Sequence, residues 1–308
     1  MSGKRPTIAH YLQYFALRGA VGILERFSFR RAGDIGAWLG LLAFRPLGIR
    51  RAVVERQLRA AFPGLEDGEI QRIARESYAN LGRTSIEAAI SATRTPQELV
   101  DLFERVDGWD IVERAQASGK CIVVSGHLGN WEIGGAYVAA RGLKLEAVAR
   151  GMENPVFDEY LTETRRKIGV NVIHDSDAVR RVPRAVREGS VVAFLFDQGA
   201  AGLASTWVPF FGRYAKTPRG PAVFALRLGA PVIFAAAIRL PNDRYYLTFE
   251  EVVVDRSGER EAAVDRIVDG YTRALERCVR RYPEQYFWQH RRWKHQRPGT
   301  PPELGDPS

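Results

Sequence analysis

The sequence predicts an α/β fold: a mostly parallel mixed sheet covered by helices, preceded by an N-terminal helical, membrane-associated segment. Two observations predict the sheet. After residue 96, short β-branched runs alternate with helix-like stretches, and the runs are almost wholly apolar, as in strands buried on both faces. The third observation is the density of aromatic, aliphatic and arginine side chains in residues 8–48. With 308 residues, 45% of them hydrophobic, the composition excludes disorder and collagen-like repetition.

The first 50 residues are predicted to form a membrane-surface anchor. The stretch without charge at 35–44 has only ten residues, whereas a spanning helix needs about 20. Arginines on both sides of it suit helices that lie in an anionic lipid interface. The alternative is a helical hairpin packed on the rest of the protein. A cleaved signal peptide is not expected, because His10 and Gln13 interrupt the apolar segment.

The remaining elements follow in order. Residues 51–92 are predicted to be helical with a break at 62–64, where Phe-Pro-Gly stands. The predicted strands are 121–125, 144–149, 170–173, 191–196, 231–238 and 245–254, the last suited to an antiparallel edge. The predicted helices are 130–141, 154–168, 177–188, 217–228 and 261–281. Residues 51–298 therefore form the α/β domain with its helical lead-in, and the Pro-rich residues 299–308 form a disordered tail.

The charge is strongly basic, with a formal net charge of +9 and arginine supplying all but six of the 45 basic residues. A basic surface suits nucleic acid, anionic lipid or an acidic carrier protein, and arginine binds phosphate and carboxylate in a bidentate manner. Coding bias of a genome would give the same excess, so charge alone leaves the partner open. The two cysteines show no paired spacing.

One segment combines a strand, glycines, a histidine and an acid. Its sequence is Ser125-Gly126-His127-Leu128-Gly129-Asn130-Trp131-Glu132. The predicted strand ends at Ser125 and the next helix begins near Asn130, so His127 falls where open α/β sheets bind ligands. Two residues five apart on a helix point about 140° apart. His127 can therefore meet Glu132 only from the loop, which the glycines permit.

A histidine held in this way can act as a general base. If Glu132 holds one ring nitrogen, the other accepts a proton near pH 7. No Gly-x-Ser-x-Gly motif surrounds Ser125, because Val123 stands at the first glycine position. We therefore expect the hydroxyl that is activated to belong to a bound substrate. Backbone N–H groups in residues 126–130 or at the helix start are candidate oxyanion donors.

His-x4-Glu at a strand-to-helix turn resembles the glycerolipid acyltransferase superfamily, and the chain resembles in particular the bacterial lipid A late acyltransferases. Further blocks carry this resemblance, at 150–155 with 164–166, at 196–198 with 208–212 and 216–218, and at 283–294. It covers residues 10–298.

The resemblance implies acyl transfer from a thioester, on acyl carrier protein or coenzyme A, to a hydroxyl of an anionic lipid A precursor. The reaction would take place at the cytoplasmic face of the inner membrane, without cofactor or metal. His127 and Glu132 would form the catalytic dyad. Arg165 and Asp197 match positions that the family uses around the site, and Arg150 opens a block expected to face the acceptor. The resemblance thus implies that these three residues bind the substrate.

Three alternatives stay open. Arg150 is followed by Gly-Met where the family has proline, so the acceptor could be another lipid, such as a phosphatidylinositol mannoside or a lysolipid. A hydrolase would use the same dyad on water. A pI of about 9.7 and the basic residues 291–297 suit a nucleic-acid-binding protein, but zinc-finger, RRM and KH signatures are missing, so no nucleic-acid partner is expected.

Overall fold

The computed structural model of the chain describes residues 6–199 and 202–307. The helices are α1 (Ile8–Leu24), α2 (Phe29–Phe44), α3 (Arg51–Ala61), α4 (Asp67–Ile90), α5 (Pro96–Asp101), α6 (Trp109–Ala117), α7 (Trp131–Ala140), α8 (Pro155–Lys167), α9 (Ala178–Arg187), α10 (Gly220–Leu228) and α11 (Arg260–Arg281). The strands are β1 (Phe103–Asp107), β2 (Cys121–Ser125), β3 (Leu145–Ala149), β4 (Val170–His174), β5 (Val191–Leu195), β6 (Ser205–Phe210), β7 (Arg213–Pro218), β8 (Val232–Arg239) and β9 (Tyr245–Val252).

Seven strands form one mixed sheet in the order β1-β9-β8-β2-β5-β3-β4. Only the β8–β9 pair is antiparallel; the other neighbours in this sheet run parallel. The predicted α/β fold with a mostly parallel mixed sheet is therefore confirmed. Strands β6 and β7 form a separate antiparallel ribbon.

Helices cover both faces of the sheet, because each central strand buries side chains on both sides. In β2, Cys121 and Val123 pack with α5, α6 and α7, whereas Ile122 and Val124 pack with α9, α10 and α11. The carboxyl ends of β2, β3, β4 and β5 lie at one edge, where parallel strands bind ligands.

Three details differ from the sequence prediction. Strand β9 is antiparallel to β8 but does not lie at the edge, because the largely polar β1 pairs with its outer side. The ribbon β6–β7 lay outside the predicted strands, since its prolines and exposed polar residues weaken a strand pattern. Thr217, predicted to begin a helix, belongs to β7, and α10 begins three residues later.

The N-terminal helices are only partly packed on the protein. Helix α2 lies against α4 through glycines, and a Cβ atom at Gly36 would lie 2.4 Å from the carbonyl oxygen of Gly82. Leu12 and Phe15 of α1 are each 65% exposed, and Trp38 of α2 is 58% exposed. No helix in the described part of the chain is long and apolar enough to cross a bilayer. Membrane association therefore stays a proposal.

The C-terminal residues contact the ribbon. Residues 299–307 belong to the stretch predicted to be disordered, and they contain a single 3-10 turn at Pro302–Leu304. The Arg213 guanidinium of β7 donates a hydrogen bond to the Gly305 carbonyl oxygen, at 2.9 Å. Residue 308 lies outside the described residues.

Candidate active site

The loop between β2 and α7 places His127 at the carboxyl edge of the sheet. Gly129 has a φ of +65°, and a Cβ atom there would lie 1.9 Å from the Ala237 carbonyl oxygen, so only glycine fits. Asn130 is the N-cap of α7, and its side-chain oxygen accepts a hydrogen bond from the Ile133 N–H at 3.1 Å. The loop is thus fixed where it enters α7.

A buried polar network holds Asn130 from behind. The Asn130 amide donates to Glu87 Oε2 at 2.7 Å, and the same oxygen accepts from the Tyr245 hydroxyl and from Arg239. Glu87 is 1% exposed and Tyr245 is fully buried. Because every donor in this network meets the one carboxylate, α4, β8 and β9 together fix the start of α7.

The carboxylate that holds His127 is Asp197, not Glu132. Asp197 Oδ1 lies 2.7 Å from His127 Nδ1, and Asp197 Oδ2 accepts the His127 backbone N–H at 2.9 Å. Asp197 follows β5 and is 2% exposed. The expectation that Glu132 would hold the ring nitrogen is therefore wrong, because a nearer carboxylate comes from the neighbouring strand.

Glu132 forms a two-pronged ion pair with Arg165 of α8 instead. The Arg165 Nε–Glu132 Oε2 distance is 3.0 Å and the Arg165 Nη2–Glu132 Oε1 distance is 2.5 Å. Burial raises the pKa of Glu132, but the charge and hydrogen bonds of Arg165, a hydrogen bond from Trp131 and the charge of His127 outweigh it, so this pKa is lowered. Glu132 thus interacts electrostatically with two other predicted site residues, His127 and Arg165.

Asp197 stays ionised although it is buried. Burial raises its pKa, but the charge of His127, the two hydrogen bonds from that residue and the charge of Arg292 lower it to about 2. Burial, together with the nearby charge of Asp197, raises the pKa of Tyr286 well above its usual value, so this hydroxyl stays neutral. A permanent negative charge therefore faces Nδ1 of His127.

The other nitrogen of the ring is available. Within residues 6–199 and 202–307 no group hydrogen-bonds to Nε2 of His127, whose side chain is 17% exposed. The ring packs edge-on against Trp131, with 4.7 Å between ring centroids, and lies 5.9 Å from Phe287. An Nδ1–H donated to Asp197 leaves Nε2 as the proton acceptor.

The C-terminal block 283–294 forms the other wall of the loop. The Phe287 N–H donates to the His127 carbonyl oxygen, and the Gly129 N–H donates to the Gln285 carbonyl oxygen, both at 3.0 Å. Trp288 and Trp293 are buried behind it. This block thus positions the His127 loop from a region more than 150 residues away in the chain.

A narrow apolar cavity of about 120 Å³ lies between α7 and the sheet. Its walls are mostly small or apolar residues, among them Gly134, Gly135, Ala193, Ala235, Leu247 and Phe249. Trp131, Glu132 and Arg165 also line it, whereas His127 does not. Because Trp131 touches both the cavity and the His127 ring, it stands between them.

The start of α7 offers unused N–H groups. The four amides from His127 to Asn130 already donate, to Asp197, Gly126, Gln285 and Ala237 in turn. In the described part of the chain, no acceptor is found for the N–H groups of Trp131 and Glu132, the first two residues of α7. The amides of 127–130 are thus already used, whereas the two at the helix start remain candidate oxyanion donors.

The last predicted site residue, Arg150, is exposed after β3. Its guanidinium makes no hydrogen bond or ion pair with any residue that the structure describes. The described ranges also contain no group of three or more residues suited to hold a metal ion.

The model of the family described as bacterial lipid A biosynthesis acyltransferase matches residues 3–295. The chain belongs to this family. It is an acyltransferase.

Individual relatives agree with this assignment. The acyltransferase is 25% identical over 289 residues to the lipid A biosynthesis palmitoleoyltransferase of Escherichia coli (strain K12), with 92% of each chain covered. It is 25% identical over 290 residues to the lauroyltransferase of that organism, again with 92% of each covered. The phosphatidylinositol mannoside acyltransferase of Mycobacterium tuberculosis is 25% identical over 220 residues, which are 70% of this chain and 68% of the relative.

Sequence reasoning missed the surroundings of Asp197, Tyr286 and Arg292 in this acyltransferase. Asp197 was assigned to substrate binding, yet it contacts the catalytic candidate His127 directly. The signal that could have revealed this is the position of Asp197 just beyond a strand that runs parallel to the strand before His127. Tyr286 and Arg292 lie in the C-terminal block, whose spatial neighbours no local pattern indicates.

Proposed function

We propose that this acyltransferase transfers a fatty acyl chain from a thioester, carried by acyl carrier protein, to a hydroxyl of a lipid A precursor, with His127 as general base. One observation carries the proposal: an imidazole fixed at Nδ1 by a buried carboxylate, open at Nε2, stands beside a narrow apolar cavity. Such a ring accepts a proton from a hydroxyl, and such a cavity accepts a hydrocarbon chain.

In the proposed reaction, Nε2 of His127 removes the proton of the acceptor hydroxyl as its oxygen attacks the thioester carbonyl carbon. The C–O bond forms, the carbonyl electrons move to oxygen, and their return expels the thiolate. A thiol has a pKa of about 8.5, so its thiolate leaves without a strong general acid. Asp197 stabilises the imidazolium that forms, and the proton then passes to the thiolate.

The helix start is suited to the negative charge of the intermediate. The free N–H groups of Trp131 and Glu132 point from the first turn of α7, the positive end of the helix dipole. Donors fixed in this way stabilise an oxyanion more strongly than water does. We propose them as the oxyanion site.

Glu132 keeps a role in the proposal, but through Arg165. The pair lines the cavity, so we propose that it orients the head of the acyl chain and an anionic acceptor. Arg150, which directly follows β3, is exposed and stays a candidate for binding the acceptor.

The N-terminal helices are proposed to lie on the cytoplasmic face of the inner membrane. Exposed apolar side chains of α1 and α2 would enter the lipid, including Ile8, Leu12, Phe15, Ile23 and Trp38. The net charge of +9 would attract both anionic lipid and an acidic carrier protein.

A second acceptor class is kept because one relative is named a phosphatidylinositol mannoside acyltransferase. Purified protein is to be incubated with acyl carrier protein thioester and either a lipid A precursor or a phosphatidylinositol mannoside, and the products weighed by mass spectrometry. We expect an acyl mass gain on the lipid A precursor alone. A gain on the mannoside alone would reverse the acceptor assignment, and free fatty acid released equally without acceptor would identify a hydrolase. A coenzyme A thioester arm separates the two donors.

A further inference from the structure

Arg292 is a buried cation with no carboxylate in contact. The residue is 4% exposed. Its Nη1 donates to the Lys216 carbonyl oxygen at 2.9 Å and its Nη2 to Thr217 Oγ1 at 2.6 Å. Within the described ranges no carboxylate oxygen lies within 4 Å of its guanidinium, and its Nε has no acceptor. The comparably buried Arg239, in contrast, is paired with Glu87.

An isolated buried charge is costly, so its position calls for a physical reason. The Arg292 N–H donates to Gln57 Oε1 at 2.8 Å, and the Gln57 amide donates to the Trp288 carbonyl oxygen at 2.7 Å, so α3 fixes the backbone on both sides. The guanidinium carbon lies 5.4 Å from the centre of the Phe210 ring. The side chain is therefore held in place and cannot reach solvent.

The carboxylate that feels this charge is Asp197. The Lys216 carbonyl oxygen that binds Arg292 lies 3.1 Å from where a Cβ atom on Gly199 would stand, and Gly199 is two residues beyond Asp197. From this position the positive charge of Arg292 helps to keep the pKa of Asp197 low. Three other titratable groups interact with the His127–Asp197 pair: Glu132 of α7, and Tyr286 and His290 of the C-terminal block. Further charged or titratable groups lie around these and around Arg292. They are Arg165, Lys216, Tyr271 and Lys294.

None of these groups duplicates the charge of Arg292. Arg165 is neutralised by Glu132, and burial lowers the pKa of His290 to about 4, so that His290 is neutral near pH 7. Lys294 is exposed and Lys216 only half-buried, so water screens both. The tyrosines are neutral, because burial raises the pKa of Tyr271 and Tyr286.

We propose that Arg292 is a positioning residue for the acyl-transfer reaction: its fixed positive charge keeps Asp197 ionised while His127 is neutral. The proposal rests on the proposed function of His127 as general base. Without the cation, the buried His127–Asp197 pair would hold its proton more tightly, whichever of the two carries it. Arg292 thus keeps Nε2 free to accept the proton of the acceptor near pH 7.

The test compares Arg292→Gln, which removes the charge, with Arg292→Lys, which retains it. In Arg292→Gln we expect the acidic limb of the plot of kcat/KM against pH to move to higher pH by about one pH unit. Arg292→Lys should restore the position of the limb even if the rate stays low. Thr217→Val is the matched control, because it removes a hydrogen-bond partner of Arg292 but no charge, and its limb should not move.

A second measurement does not depend on acyl transfer. The ring C–H resonance of His127, identified by its loss in His127→Asn, is followed by NMR against pH in each variant. The midpoint pH of this NMR titration should rise in Arg292→Gln by about as much as the acidic limb of the kcat/KM profile moves. An unmoved midpoint with a rate lowered equally at all pH values would overturn the proposal. A moved midpoint without acyl transfer would instead contradict the proposed function. If Arg292→Gln does not fold, Arg292→Met provides the uncharged variant.

Discussion

At the scale of single residues, the register of two strands explains the contact between His127 and Asp197. Strands β2 and β5 pair in parallel, and Ser125 lies opposite Leu195. His127 and Asp197 each follow two residues later, so both side chains emerge at the same edge of the sheet. Glu132 is nearer in the chain, but the first turn of α7 directs its carboxylate toward Arg165.

The two carboxylates should therefore differ in effect. Asp197→Asn keeps the size of the side chain but removes the charge that fixes the tautomer of His127, so kcat/KM should fall about 10³-fold or more. Glu132→Gln loses the ion pair with Arg165, and its kcat/KM should fall less, by about 10–100-fold. Both are measured in the acyl-transfer assay, with circular dichroism as the control for folding. A larger loss in Glu132→Gln than in Asp197→Asn would contradict this assignment.

His290 should make the stability of the protein depend on pH. Burial lowers its pKa from 6.5 to about 4, so between these values the unfolded chain binds a proton that the folded chain does not. The free energy of unfolding should therefore fall as the pH drops from 6.5 to 4, by on the order of 3 kcal/mol from this residue. The low pKa of Asp197 acts in a separate window, because its stabilisation is lost only from about pH 4 down to 2.

The measurement is urea unfolding of the wild type and His290→Gln at several pH values. The variant should lose less stability than the wild type between pH 6.5 and 4. Parallel curves for the two proteins would show that His290 is not the group responsible.

At the scale of elements, α7 determines how much room the cavity has. A Cβ atom at Gly135 would lie 3.6 Å from a methyl group of Leu145, inside the wall of the cavity. Gly135→Leu should fill part of this space and shift the preferred donor toward acyl chains that are shorter by several carbons, since each buried CH₂ contributes about 0.8 kcal/mol. Donors of graded length are to be compared by kcat/KM.

Gly68→Leu is the matched control for this series. Gly68 is exposed on α4, and a Cβ atom there would meet nothing within 4 Å. It should leave the chain-length profile unchanged. If Gly135→Leu lowers activity equally for all chain lengths, the cavity does not hold the acyl chain.

Helix α1 should carry much of the affinity for membranes. Leu12→Gln with Phe15→Gln removes two apolar side chains that are each 65% exposed, and should weaken binding to vesicles of anionic lipid by about 100-fold. Val253→Gln, at an 80% exposed valine outside the N-terminal helices, is the control. Co-sedimentation measures the binding. Equal binding by all three proteins would remove α1 from the proposed anchor.

Elements with a strong local pattern could be predicted from the sequence, and those defined by distant partners could not. The predicted strand 121–125 matches β2 at both ends, because an apolar run bounded by polar residues is a clear signal. Strand β1 was missed because most of its five residues are polar or charged and it is stabilised by pairing with β9. For the site, the loop glycines and His127 were readable, whereas the His127–Asp197 pairing required the register of the sheet.

At the scale of the whole molecule, three separate regions converge on the His127 loop. The carboxyl edge of the sheet supplies His127 and Asp197, helices α4 and α3 supply Glu87 and Gln57, and the C-terminal block supplies Tyr286 and Arg292. A change in α3, α4 or the C-terminal block should therefore loosen the loop. We therefore expect activity and stability to depend on residues far from the reacting atoms.

Removal of the proposed base tests the central claim most directly. His127→Ala is to be purified with the wild type, checked for an unchanged thermal unfolding midpoint to within a few degrees, and assayed at pH 7 with acyl carrier protein thioester and the lipid A precursor. We expect acyl transfer to fall at least about 10³-fold. A folded His127→Ala protein that acylates the precursor at the rate of the wild type would contradict the claim.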